Sequence, residues 1–374
     1  MKLNEKKIDL SVVIPCLNED ETIEICIKKA KNSFKKLKIV GEVVVSDNGS
    51  TDNSIKICKR NKVTLVHVKA KGYGSALKAG IKKSKSNFIL IADADNSYDL
   101  NDIKKFYVAL KKGYHLVQGC RFKKGGGSIQ YNAMPFTHKY IGNPMFTWLL
   151  KKLIGSPFND VYCGMRAFDK KKFEKMYHFS NGMTFAIENL IRFISAKAKL
   201  KEVPVILYKD GRIKKKSHLK TISDGLKTLK LIILFTPTKI FNFFSFILIS
   251  IVVFKIIEIF SMRDSLLIKI SDIFILLPLA LQIFFFGIYT ALLRKKINLS
   301  NDDKIFNFFK YFNLGRSFIL SFLILTLGLF FLIQSKYLYL IKYSIFLFLS
   351  AISIIIFINS ILISLLELIE EKKI

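Results

Sequence analysis

A Rossmann-like α/β domain with a mainly parallel sheet, followed by an α-helical membrane domain of four spans, is the fold predicted by this 374-residue sequence. Three observations predict it. Strand-like and helix-like patterns alternate up to about Phe235, long apolar stretches dominate beyond it, and basic residues gather beside those stretches.

Apolar, β-branched runs at Leu10–Pro15, Glu42–Asp47, Val63–Val68, Phe88–Asp93 and Leu116–Arg121 read as strands. Helical patterns occupy Glu21–Lys36, Asp52–Lys59, Tyr73–Lys83 and Asp102–Lys111. Alternation of this kind implies βαβ units, hence a parallel sheet whose ligands bind at the carboxyl ends of the strands. The basic N-terminus is followed only by the short run Ile8–Pro15 before Asn18 and Glu19, without a small-residue cleavage site. It reads as a first strand rather than a signal peptide.

His218–Phe235 places Leu219, Ile222, Leu226 and Leu229 at helical spacing, with Lys220, Lys227 and Lys230 between them. An amphipathic helix on a membrane surface is expected, with packing on the soluble core as the alternative. The domain boundaries follow: 1–212 soluble, 213–236 linker helix, 237–374 membrane domain. Spans are expected at Ile240–Phe260, Ser271–Leu293, Ser317–Gln334 and Lys342–Leu366, each near the roughly 20 residues that cross a bilayer. Lys255 and Glu258 lie three apart near one end of the first, placed to pair or to snorkel. The stretch Arg294–Arg316 holds six basic residues. Excess positive charge marks the cytoplasmic side, so both the soluble domain and the C-terminus are expected in the cytoplasm.

The net charge of +32 raises the question of nucleic acid. No helix-turn-helix, finger or aromatic-basic platform accompanies it, so a nucleic-acid partner is not expected. Basic clusters at Lys209–Lys230 and Arg294–Arg316 flank apolar segments, where anionic lipid headgroups attract each basic residue by ~1 kcal/mol. The five cysteines show no CxxC and no metal-type spacing, so neither disulfides nor a thiolate metal site is expected. His67, on an apolar strand, is expected in the core rather than as a ligand, and Trp148, beside Phe146 and Leu149, is expected to pack a helix rather than stack on a sugar.

The sharpest chemical signal is Phe88-Ile-Leu-Ile-Ala-Asp-Ala-Asp95. A buried strand ends in Asp93 and Asp95, and residues two apart in extended chain point the same way. Both carboxylates can then meet one Mg²⁺ or Mn²⁺ that keeps positions open for diphosphate oxygens. An isolated pair of this kind is equally a solvated strand end or a helix cap. Three further motifs accompany it. Val12-Val-Ile-Pro-Cys-Leu-Asn-Glu-Asp20 puts Pro15, Leu17 and Glu19 at the tip of the first strand. Asp47 ends the second, where an acid can accept a hydrogen bond from a ribose or base edge. Lys71-Gly-Tyr-Gly74 opens a helix with Gly72 and Gly74, admitting a phosphate or sugar, though it matches neither GxGxxG nor the P-loop.

These four motifs, in order, resemble the N-terminal half of family 2 glycosyltransferases of the GT-A fold. Within that family the pattern is similar to dolichyl-phosphate mannose and glucose synthases and bacterial polyprenyl-phosphate glycosyltransferases, over roughly residues 9–236. The resemblance implies that Pro15, Leu17, Glu19, Asp47, Gly72 and Asp93 line a nucleotide-sugar pocket, with Asp93 and Asp95 holding a divalent cation. Ser97 stands where the family often has Gln. Gly119-Cys-Arg121 and Asp160–Phe168 resemble acceptor-side segments, implying that Arg121 and Arg166 grip a lipid phosphate with planar guanidinium groups. Glu188 is implied to orient the acceptor or an arginine, a helix-surface charge being the alternative, and Arg212 joins the acceptor side. Lys214, Lys215 and His218 replace the two glycines and the final lysine of the mannosyl branch. Asp210-Gly-Arg212 and Asp224-Gly225 look more like the bacterial glucose branch, leaving the donor UDP-glucose-like or GDP-mannose-like.

The implied activity is inverting hexose transfer from a nucleotide-sugar to a polyprenyl or dolichyl phosphate, serving cell-envelope glycan or glycoconjugate assembly. The partners are the donor, the polyprenyl-phosphate acceptor, membrane lipids and, as an option, a second copy of the chain. Two alternatives remain open. A processive polysaccharide synthase would carry Gln-x-x-Arg-Trp, absent around the only tryptophan, Trp148. A non-catalytic membrane subunit on a transferase scaffold would lack turnover.

Overall fold

The computed structural model describes residues 7–213, 221–261, 266–296, 319–324, 326, 345–346, 348–356 and 358–359. The chain divides into two compact units, Met1–Ile232 and Ile233–Ile374.

The first unit follows the alternating pattern. Its elements are β1 (Leu10–Cys16), α1 (Ile23–Leu37), β2 (Gly41–Asp47), α2 (Ser54–Arg60), β3 (Thr64–His67), α3 (Tyr73–Lys83), β4 (Phe88–Ile91), α4 (Ile103–Lys111) and β5 (Leu116–Cys120). After these come β6 (Ser128–Ile129), α5 (Asn143–Ile154), β7 (Arg166–Asp169), α6 (Lys170–Glu174), α7 (Phe185–Ser195), β8 (Leu200–Pro204), β9 (Ile206–Leu207) and α8 (Thr221–Phe235). Seven strands form one sheet in the order β3-β2-β1-β4-β7-β5-β8, and β6 pairs with β9 beside it. Only β7 runs antiparallel to its neighbours, β4 and β5; the other pairings are parallel. Every residue of β1 is buried, which explains why it is apolar apart from Ser11: a strand covered on both faces has no reason to alternate. In α1 the buried residues Ile23, Cys26, Ile27, Ala30 and Phe34 recur at helical spacing and close one face of the sheet.

Val13 sits between Val44 of β2 and Ile91 of β4. Strand order changes direction here, because β2 and β3 lie to one side of β1 and β4 to the other. The loops leaving β1 and β4 therefore diverge and open a crevice at the carboxyl ends of the strands.

Two expectations about single residues change. His67 is exposed, with Nδ1 3.5 Å from Asp47 Oδ2, because β3 is the edge strand and leaves its end open. Trp148 is 58% exposed, since α5 buries Phe146, Thr147 and Leu150 and turns Trp148 outward. Helix α8 packs one face of its stretch on the first unit. Thr228, Leu231 and Ile232 are buried and Gly225 faces Phe146, while Ile222, Leu226 and Leu229 stay exposed.

The second unit contains α9 (Pro237–Ser261) and α10 (Leu266–Lys296). They pack through Ser245 Oγ donating to the Ala280 carbonyl at 2.8 Å and through an edge-on Phe241–Phe286 contact at 5.1 Å. Lys255 Nζ lies 3.6 Å from Glu258 Oε2, so these two pair. The expectation of four spans is corrected. Among the described residues one helix, Pro237–Glu258, is long and apolar enough to cross a membrane. The second expected span falls within α10, where the apolar stretch counted among the described residues is Leu276–Thr290. The stretches 317–334 and 342–366 lie outside the described residues apart from short pieces, as does the basic segment beyond Lys296.

Candidate active site

The crevice predicted by the strand order is present in the first unit as a cleft of about 590 Å³. One wall comes from the end of β1 and the loops after β1, β2 and β3: Pro15, Leu17 and Glu19, with Asn48, Lys71 and Gly72. The floor is Asp93-Ala94-Asp95 beyond β4, with Tyr73 beside it. The other side is built by Gly182–Thr184, Arg212, and Asp224 and Lys227 of α8.

Asp93 is only partly open to the cleft. Its Oδ1 accepts the Tyr73 hydroxyl at 3.0 Å. Burial, and then the neighbouring Asp95 charge, push its carboxyl up to about 7, opposed by the Tyr73 hydrogen bond and by Arg212 and Arg121. On the far side, a Cβ on Gly164 would strike Asp93 Oδ2, so glycine there makes room for the carboxylate. The Gly164 amide in turn donates to the Tyr98 hydroxyl at 3.0 Å. Asp95 is more open; its Oδ1 accepts the Ser97 amide at 3.0 Å and its Oδ2 lies 3.7 Å from Arg212 Nη1.

Arg212 gathers the acids of the cleft. Nε and Nη2 bind the Glu19 carboxylate at 2.8 and 2.5 Å, and Nη1 reaches Asp210 Oδ2 at 2.6 Å. Burial alone lowers the pKa of this guanidinium, but the Glu19 hydrogen bonds and charge more than offset that and hold it firmly protonated. Arg212 therefore faces the β1 loop, on the nucleotide wall as much as on the acceptor side.

Gly72 adopts φ +121, and a Cβ there would run into the Asn181 carbonyl. Glycine thus lets the loop 178–184 lie against the start of α3. That loop is held from below by Glu188, which is fully buried rather than on the helix surface. Its carboxylate accepts the amides of Phe179 at 3.1 Å and Ser180 at 2.8 Å and pairs with Arg192 at 3.2 Å. The arginine it orients is Arg192.

His178, in the same loop, stacks on Phe173 at 4.2 Å, and its Nδ1 lies 3.0 Å from the Met176 carbonyl. Nδ1 then carries the proton, leaving Nε2 buried without a hydrogen-bond partner. Burial lowers this imidazole from 6.5 to about 4, with Glu188 acting in the opposite direction. The unfolded chain takes up a proton below pH 6.5 while the folded chain resists until about 4, so stability is present above that window and lost through it as pH falls. A His178→Phe variant, which keeps the stack, is expected to flatten the fall in melting temperature between pH 6.5 and 4. Parallel thermal melts of the two proteins check this.

Three expected residues stand elsewhere. Asp47 is buried behind the cleft wall, its oxygens accepting the Gly49 amide at 3.2 Å and the Ser50 amide at 3.0 Å. Arg121 forms a two-pronged pair with Asp160, Nε–Oδ2 2.7 Å and Nη2–Oδ1 2.9 Å. Arg166 is fully buried, with Nε on Gln118 at 2.5 Å and Nη1 on the Ala186 carbonyl; burial lowers it to about 10. Neither arginine lines the cleft.

Residues that motif reading passed over take part instead. Asn48 Oδ1 accepts the Gly72 amide at 2.7 Å and its Nδ2 donates to the Ala70 carbonyl at 2.8 Å, joining β2 to the start of α3. Its place beside Asp47 was the available signal. Tyr73, between the two glycines, had no signal beyond its position.

Comparison with known proteins gives the cleft its context. The family model described as glycosyl transferase family 2 matches residues 11–177. The low-salt glycan biosynthesis hexosyltransferase Agl6 of Haloferax volcanii is 31% identical over 235 residues, 62% of this chain and 55% of its own. An uncharacterized glycosyltransferase of Mycobacterium tuberculosis is 27% identical over 196 residues, 52% of this chain and 84% of its own. The undecaprenyl-phosphate 4-deoxy-4-formamido-L-arabinose transferase of Yersinia pestis is 24% identical over 192 residues, 50% of this chain and 56% of its own. The Haloferax and Yersinia matches thus span little more than half of those proteins. Among solved structures, glucosyl-3-phosphoglycerate synthase from Mycobacterium tuberculosis, in complex with Mn²⁺, uridine diphosphate and glucosyl-3-phosphoglycerate, aligns with a TM-score of 0.48 at 19% identity. That alignment covers 61% of this chain and 79% of that one. The match to that family model covers the segment, residues 11–177, that carries the carboxylate pair and the nucleotide wall.

Proposed function

We propose that the chain transfers a hexose from a nucleoside-diphosphate sugar to a polyprenyl-type lipid phosphate at a membrane surface. The observation that carries this reading is the set of acids in the cleft. Glu19 is bound by Arg212, Asp93 by Tyr73, Asp95 by Ser97 and Arg212, and Asp224 lies 4.0 Å from Lys227. Among the described lining residues, Glu19, Asp93 and Asp95 are thus each hydrogen-bonded, and Asp224 faces a cation at longer range. A phosphate acceptor is already an anion and needs no base. A lipid carrier of that phosphate is supported by α9, apolar and long enough to cross a bilayer, and by the undecaprenyl phosphate in the name of the Yersinia relative.

No group of three or more His, Cys, Asp or Glu side chains suited to a metal ion occurs among the described residues. The pair Asp93 and Asp95 nevertheless fits a hard divalent cation. Burial and then repulsion from Asp95 raise Asp93, and a cation held by both carboxylates would favour their charged forms while leaving positions for diphosphate oxygens. When bound, Mg²⁺ or Mn²⁺ supplies charge stabilisation at the departing diphosphate. The chain's own part is positional: Tyr73 aims Asp93, Asn48 and Gly72 shape the nucleotide wall, and Arg212 orders Glu19. The acceptor oxygen forms a bond to the anomeric carbon as the carbon–oxygen bond to the diphosphate breaks, and the nucleotide leaves with the electron pair. In-line attack inverts the anomeric centre.

The full chain, purified in native lipid, is tested with a panel of radiolabelled nucleotide-sugars, Mg²⁺ or Mn²⁺, and polyprenyl phosphate. Label is expected in the organic extract, released by mild acid. Label found only in water-soluble product or on polysaccharide would overturn the lipid-phosphate reading.

A further inference from the structure

Arg121 and Arg166 were the expected phosphate grips, yet both are buried away from the cleft lining, which leaves an anionic acceptor to be met by other cations. The described residues that line the cleft include three: Lys71, Arg212 and Lys227. Lys71 Nζ donates to the Asn48 carbonyl at 3.0 Å, on the nucleotide wall. Arg212 is committed to Glu19 and Asp210. Lys227 differs from both: its side chain is 64% exposed, and its ion-pair neighbour, Asp224 Oδ1, is 4.0 Å away, beyond hydrogen-bond length.

The position of Lys227 is set by the helix rather than by the lysine. Thr228 is 2% and Ile232 0% exposed, and the Tyr162 hydroxyl hydrogen-bonds to Thr228, so the face next to Lys227 is anchored on the first unit. Asp224 and Lys227, one turn apart, then both reach the cleft edge. The same helix continues in sequence, through Thr236, into α9.

We propose that Lys227 is the residue that receives the phosphate of the acceptor, holding its non-attacking oxygens while a third oxygen faces the sugar. The assignment rests on the reading of the acceptor as a phosphate monoester and names the residue that recognises it. An ammonium serves here as a point charge, so Lys227→Arg keeps most of the function.

The experiment uses the full-length protein in detergent–lipid micelles, with polyprenyl phosphate as one acceptor and 3-phosphoglycerate as a water-soluble phosphate monoester in a parallel arm. Transfer in the first arm alone assigns the phosphate to a lipid; transfer in the second alone assigns it to a soluble metabolite. For whichever acceptor is used, Lys227→Ala is expected to raise KM at least tenfold, Lys227→Glu more, and Lys227→Arg less than threefold. Nucleotide-diphosphate Kd by calorimetry is expected to stay within twofold in all three, and thermal melts to superpose. An unchanged acceptor KM in Lys227→Ala would overturn the assignment while leaving the proposed function standing. An equal loss of nucleotide binding would overturn it too, moving Lys227 to the donor diphosphate. Transfer by the unsubstituted chain only to neutral hydroxyl acceptors would overturn both.

Discussion

An Asp95→Asn variant is expected to lose at least about 100-fold in kcat/KM, the scale on which removing one preorganised electrostatic group acts, and to keep its fold. Asparagine retains the oxygen that accepts the Ser97 amide at 3.0 Å, and Arg212 keeps Glu19 and Asp210 as partners. What disappears is a unit of negative charge and one anionic ligand beside Asp93. Nucleotide-sugar binding in the presence of Mn²⁺ should weaken in calorimetry, whereas binding of the bare nucleoside should hold. Near-normal turnover at low Mn²⁺ or Mg²⁺, with unchanged thermal stability, would remove Asp95 from the metal assignment.

The contrast between Asp95 and its surroundings shows what the chain makes legible without a structure. Periodicity alone marks β1, β2, β4 and α3, since each is a buried run or a regular helix whose pattern has one physical explanation. The helix expected over Tyr73–Lys83 is observed over those residues. The carboxylate pair is legible because both acids lie at one strand end, a local property. Partners brought together by topology are not local. Asp160 is 39 residues from Arg121, and Arg212 is 193 from Glu19. An arginine in a phosphate-binding segment and one neutralising a buried acid look alike until the fold shows which acid is near. Strand β7, antiparallel between β4 and β5, escapes for the same reason: its four residues, Arg166–Asp169, include two charges and carry no strand pattern. Of the four expected spans, the first is matched among the described residues, by Pro237–Glu258, and most of the last two lie outside them.

Arg121 gives the other large effect, and here stability rather than acceptor affinity should respond. Asp160 is 0% exposed, and it accepts the Arg121 amide at 3.0 Å and the Tyr162 amide at 3.2 Å as well as the two guanidinium bonds. Burial by itself lowers the pKa of the guanidinium, but the Asp160 carboxylate more than compensates, and Arg121 stays charged. Arg121→Ala leaves that carboxylate buried with only amide donors, a loss of about 3–5 kcal/mol by the general cost of orphaning one member of a buried pair. Urea unfolding of the metal-free protein reads this as a fall in midpoint with unchanged slope. Arg121→Lys keeps the charge but not the fork and should recover part of the loss. Replacing Arg121 and Asp160 together by leucine should cost less than the sum of the single changes, since no charge is then left alone. The Asp160–Gly164 turn also carries the glycine against Asp93, so the single variant should lose activity in proportion to its folded fraction, with acceptor KM nearly constant. If Arg121→Ala instead unfolds like the parent and shows a selective rise in KM for a phosphate acceptor, the Asp160 pair is dispensable. Arg121 then returns to the acceptor.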